Sequence, residues 1–210
     1  MKRLSFFFFL FPFLVFSQEK DFQLWSKLEL KYKINKKLAV DFSEGFRLRE
    51  NARLPLKSFS EMGISYRKNK MIKSKFAYRF IQNFDKAQNL LLRHRFYADL
   101  SLRKKLKRWQ LSHRARVHHQ WGSNKLEQYY RSKIQGAYNI RKTPLEPSFS
   151  AELFFDLNRL IVDKNRFTLA LSYPIAKKIE GNLFYRVQQE TNVNEPTIQY
   201  VLGVRLSHNL

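Results

Sequence analysis

The chain has 210 residues, with 40 Lys and Arg against 17 Asp and Glu, a formal charge of +23, 44% hydrophobic residues and no cysteine. Without cysteine there is no disulfide framework and no lipidated Cys to tether the chain. So basic a balance in the cytoplasm would point to nucleic acid, and the first residues of the chain argue against that reading.

Lys2 and Arg3 precede an apolar run over 6–16 that ends at the small residue Ser17. A basic start, an apolar stretch of this length and a small residue after it are the features of a secretory signal peptide. The run is shorter than the roughly 20 residues of a membrane-spanning helix. The expected organisation is therefore a signal peptide over 1–17 and one domain over 18–210, with the charge falling to +21 once Lys2 and Arg3 leave.

After that segment no window shows sustained helical periodicity and no Pro/Gly/Ser linker divides the chain. Strand windows follow one another at 22–33, 38–49, 58–67, 71–82, 90–103, 109–121, 129–140, 148–157, 166–173, 179–190 and 198–207. Most exceed the five or six residues usual in soluble sheets and reach the nine to eleven of a tilted membrane strand. One set of connections is tight and basic, at 34–37, 68–70, 104–108, 141–147 and 174–178. The other is longer and mixed, at 50–57, 83–89, 122–128, 158–165 and 191–197. All are short enough to join antiparallel neighbours, so the expected topology is an up-and-down meander.

Alternate residues of a strand point to opposite sides. One column of each window is apolar, from Leu28, Leu30 and Tyr32 through Leu38, Val40 and Phe42 to Leu202, Val204 and Leu206. It contains no Lys or Arg, and Glu44 is its only acid. The opposite column carries nineteen Lys and Arg, among them Arg47, Lys73, Lys75, Arg79, Arg93, Arg95, Arg114, Arg116, Arg131 and Lys133. Sorting this complete fits a face where a cation costs about 2–4 kcal/mol, which is lipid. A soluble secreted β-sandwich or lipocalin-like barrel also alternates, but strand length, the absence of a Greek-key crossover and terminal aromatics favour the membrane. Trp109 and Trp121, which bound one window, fall roughly 28 Å apart along the normal, near the spacing of aromatic girdles. Tyr130 and Tyr138 join them as candidate girdle residues.

The reading is an all-β, up-and-down antiparallel transmembrane barrel, exported to the outer membrane of a Gram-negative bacterium. Eleven antiparallel strands leave the ends on opposite sides, whereas bacterial barrels have even counts. The expected count is therefore ten to twelve, with an unrecognised element near 160–162 or at the N-terminus.

The segments "FRLRENARL" at 46–54, "RHRFYADL" at 93–100, "ELFFDL" at 152–157, "RFTLALSYPI" at 166–175 and the closing "YVLGVRLSHNL" resemble domain of unknown function family 2490. The resemblance spans essentially the whole mature chain and implies an outer-membrane barrel. It transfers no catalytic residue. Leu210 stands where an aromatic usually ends such barrels, and it keeps the outward phase of Leu206.

No motif for chemistry emerges. His118 and His119 point to opposite faces, while His113 and His119 share a face about 20 Å apart, so His94, His113, His118, His119 and His208 form no metal site. Ser112, His113, His119, Ser123 and Asn124 raise the alternative of a lipid-modifying barrel enzyme, yet the His-x-Ser spacing of barrel lipases is absent. Neither a catalytic set nor a cofactor is expected. The function expected is structural or a narrow anion-favouring pore, since Lys and Arg rings select anions. The partners expected are outer-membrane lipids, the barrel-insertion machinery and small anions, and not nucleic acid.

Overall fold

The computed structural model describes residues 20–85, 87–193 and 196–210. The signal-peptide expectation at 1–17 lies outside the described residues. Eleven strands follow in order: β1 (Lys20–Lys33), β2 (Leu38–Arg49), β3 (Leu54–Arg67), β4 (Ile72–Phe84), β5 (Leu90–Leu106), β6 (Trp109–Gly122), β7 (Lys125–Tyr138), β8 (Glu146–Asp156), β9 (Ile161–Ala176), β10 (Ile179–Glu190) and β11 (Ile198–Asn209). Each pairs with its sequence neighbours, and β1 pairs with β11 to close a barrel. Closure leaves no edge strand with unpaired N–H and C=O groups.

The closing pair corrects one expectation. β1 and β11 run parallel, in register from Lys20 opposite Ile198 to Lys31 opposite Asn209, whereas the other neighbouring pairs are antiparallel. A parallel seam is how an odd number of meandering strands closes. No further element is needed near 160–162, where Leu160 is a turn residue with φ 58° and Ile161 opens β9.

Several strands outrun their windows. β7 begins at Lys125, which reduces the connection expected at 122–128 to Ser123 and Asn124. Gly122, Ser123 and Asn124 have φ of 123°, 50° and 56°, the positive values that a two-residue hairpin turn requires. β9 likewise starts at Ile161, β5 runs on to Leu106 and β3 starts at Leu54. Polar residues end a strand in sequence reading, but a charged side chain that points inward lets the ladder continue.

Two of the tight turns share a device. Asn35 Oδ1 accepts the backbone N–H groups of Lys37 and Leu38 at 2.8 Å, and Asn69 Oδ1 does the same for Met71 and Ile72 at 2.8 Å. Asparagine thereby satisfies a turn's free donors with its own side chain. At the opposite rim Glu50, Asn51 and Ala52 are consecutively left-handed, with φ of 53°, 56° and 64°. That turn is held by Glu50 N–H on Asp21 Oδ1 at 2.7 Å and Ala52 N–H on the Phe22 carbonyl at 3.2 Å. Nearby, the side-chain amide and backbone N–H of Asn89 hold the Asp85 carboxyl below its usual range.

The alternation sorts the two faces. Leu28, Met62, Phe76, Ile134, Leu169 and Leu183 are exposed on the outside. Gln23, Asp41, Glu61, Asp99, Arg116, Glu152 and Thr168 are buried on the inside. Such a molecule is apolar outward and polar inward, the reverse of a soluble domain.

Candidate functional site in the barrel interior

The interior encloses a cavity of about 640 Å³. All ten basic positions singled out above, Arg47, Lys73, Lys75, Arg79, Arg93, Arg95, Arg114, Arg116, Arg131 and Lys133, line it. They reach it from β2 and β4 to β7, because inward and outward positions alternate along each strand.

Two buried carboxylates organise this wall. Glu61 of β3 accepts Arg79 Nε at 2.7 Å and the Tyr97 hydroxyl at 2.8 Å, with Lys75 at 3.4 Å and Lys27 at 3.8 Å. Lys75 also meets Asp41 at 2.5 Å, and Lys27 meets Glu29 at 3.5 Å. Glu152 of β8 accepts Arg114 at 2.6 Å, Arg131 at 2.8 Å and Arg166 at 3.2 Å. Between them Arg116 makes a two-pronged pair with Asp99, at 2.6 and 2.7 Å. Buried carboxylates of this kind hold only because each is matched by cationic donors.

A second motif escaped the sequence analysis. Trp25, Phe59, Tyr97, Phe154 and Phe184 point inward and are buried, and each carries a guanidinium on its ring. Arg47 lies 3.6 Å from the Trp25 centroid, Arg116 3.7 Å from Tyr97, Arg79 4.0 Å from Phe59, Arg131 4.2 Å from Phe154 and Arg186 4.7 Å from Phe184. These are cation–π distances. Room for the rings comes from small residues in register beside them: Gly45 opposite Phe59, Ala77 opposite Tyr97, and Gly203 between Trp25 and Phe184. A Cβ on Gly45 or Gly203 would meet the Phe59 or Phe184 ring at 2.2 Å. The signal was available in the sequence as Gly and Ala at the positions that pair with inward aromatics.

The outward residues separate by rim. The rings of Trp109 and Tyr138 meet at a tilt, centroids 4.9 Å apart, beside the tight connections, and Tyr32, Tyr66 and Tyr173 lie exposed near the same rim. Trp121 and Tyr130 belong to the other half of β6 and β7. An apolar outer groove of about 580 Å³ passes over Gly136, between Trp109, Tyr138, Phe149 and Leu183.

The residues considered for chemistry disperse. His113 Nε2 meets Ser132 Oγ at 2.9 Å and His119 Nδ1 meets Gln128 at 3.0 Å, both outward, while His118 turns inward against Tyr129. Ser123 donates to the Leu92 carbonyl at 3.2 Å in the turn at the rim. Among the described residues, neither His113 nor His119 meets Ser112, Ser123 or Asn124, and no carboxylate orients either ring.

A search of curated proteins finds no match to the chain. Among solved structures, the crystal structure of the NanC porin in its rhombohedral form is similar, with a TM-score of 0.51 at 10% identity over 80% of this chain and 86% of that one. At that identity the likeness is one of fold, a closed β-barrel of the porin kind. The family described as Protein of unknown function (DUF2490) matches residues 22–199, from β1 into β11, and the chain belongs to that family.

Proposed function

We propose that the protein is an integral outer-membrane barrel whose interior is a narrow, anion-favouring passage. The observation that carries this reading is the make-up of the cavity wall, where seventeen Lys and Arg stand against six Asp and Glu. Rings of cations lower the barrier for anions and raise it for cations. The porin-like fold and the apolar outer face support placement in lipid, where exposed Leu, Ile and Phe cost nothing and cations are excluded. In this reading Trp109, Tyr138, Trp121 and Tyr130 lie at the two interfaces, lipid acyl chains fill the outer groove, and the export signal and insertion machinery deliver the chain.

The test is planar-bilayer recording on detergent-extracted protein whose unboiled band migrates faster than the boiled one. Under a salt gradient the reversal potential is expected on the anion side. Absence of conductance in a correctly folded sample removes the passage and leaves a structural barrel whose interior is closed by its ion pairs.

A further inference from the structure

We infer that Arg47 and Arg186, on either side of Trp25, form a binding site for a small oxyanion, a carboxylate or phosphate group. This deepens the anion-favouring reading and rests on the interior being reachable. Around one indole ring three guanidinium carbons gather from three strands: Arg47 of β2 at 3.6 Å, Arg186 of β10 at 4.9 Å and Arg166 of β9 at 5.8 Å. Like charges assemble this closely only when something compensates them.

Little in the described wall does so. Arg166 shares Glu152 with Arg114 and Arg131. Arg186 has one partner, Thr168 Oγ1, which accepts its Nε at 3.0 Å. The Arg47 guanidinium has neither a hydrogen bond nor an ion pair with any described residue, although Arg47 is not exposed and lines the cavity. Of the other interior arginines, Arg79, Arg93, Arg114, Arg116 and Arg131 each reach a carboxylate, whereas Arg95 has Gln120 and Arg205 has no side-chain partner among the described residues. Of the three guanidiniums around Trp25, those of Arg47 and Arg186 therefore present free N–H donors to the cavity.

The platform beneath them is fixed. Trp25 Nε1 donates to Gln23 Oε1 at 2.8 Å, and Gln23 Nε2 donates to Asp21 at 2.6 Å, in a buried run along β1. Gly203, in register between Trp25 and Phe184, leaves the wall without a side chain at that point. A pinned indole fixes where the two guanidiniums sit, and each guanidinium carries an edge of N–H donors. That edge is the fork that matches the two oxygens of a carboxylate or phosphate.

Trp25 supplies the readout. In a Trp109→Phe, Trp121→Phe background it is the last indole, and inorganic phosphate or acetate is titrated against chloride at matched ionic strength. A saturable change in Trp25 emission is expected with either oxyanion, weakened about tenfold by Arg47→Gln and further by Arg47→Gln with Arg186→Gln. Arg47→Lys should recover part of the response, as a point charge without the fork. These substitutions strand no acid, and the fast unboiled band reports their folding. A response equal to that of chloride, or one unchanged in the double variant, overturns the site. Bilayer recording on the same samples separates the two readings: saturable oxyanion binding without current sinks the passage and keeps the site, whereas anion-selective current without saturable binding does the reverse.

Discussion

Glu61 and Glu152 occupy opposite walls of the ring, on β3 and β8, and each gathers three cations, yet the two arrangements differ in what would survive their loss. Around Glu61 the cations have alternatives: Lys75 keeps Asp41 and Lys27 keeps Glu29. Around Glu152, Arg114 and Arg131 have no second acid partner among the described residues, where Arg166 retains only Gln188. One wall distributes its charge compensation and the other concentrates it. A buried cation left alone costs far more than a weakened pair, so equal local geometry does not mean equal vulnerability.

The largest effect is expected from Glu152→Gln, which leaves Arg114 and Arg131 uncompensated, at about 3–5 kcal/mol. Urea unfolding of the detergent-solubilised barrel, followed by tryptophan fluorescence, measures it. Glu61→Gln should cost less, about 2 kcal/mol, because Arg79 alone is left with no acid among the described residues; equal costs at the two sites would break the comparison. Pairing Glu61→Gln with Asp41→Asn removes the reserve partner of Lys75. The double variant should then exceed the sum of the singles by about 1 kcal/mol, and simple additivity would show that Asp41 gives Glu61 no cover. Tyr97→Phe deletes a hydrogen bond that has no counterpart at Glu152, with an expected loss of about 1 kcal/mol in the same unfolding assay.

Much of this was legible from period-2 alternation. Leu28, Leu30 and Tyr32 face out and Lys27, Glu29 and Lys31 face in because each strand has only two faces, and this holds from β1 to β11. The partner of each interior charge was not legible. Arg79 meets Glu61 because β3 and β4 are in register there, and register depends on bulges such as that at Arg47 and Leu48, which no composition reveals. Inward aromatics were missed for another reason. Trp25 and Phe59 read as ordinary apolar strand residues until Gly203 and Gly45 are placed beside them. The parallel seam had no local signal at all, since it joins residues as distant as Glu29 and Ser207, 178 positions apart.

That seam also limits how the chain could be rewired. In an even-stranded meander the first and last strands end at the same rim, and a few residues suffice to join them into a circle. Here Lys20 and Asn209 lie at opposite rims, so a linker must travel the full height of the wall, about 40 Å for twelve strand residues. A circular permutant with a short Gly/Ser joint should fail to close, whereas one whose joint is itself a twelfth strand would insert between β1 and β11 and turn the seam into two antiparallel pairs.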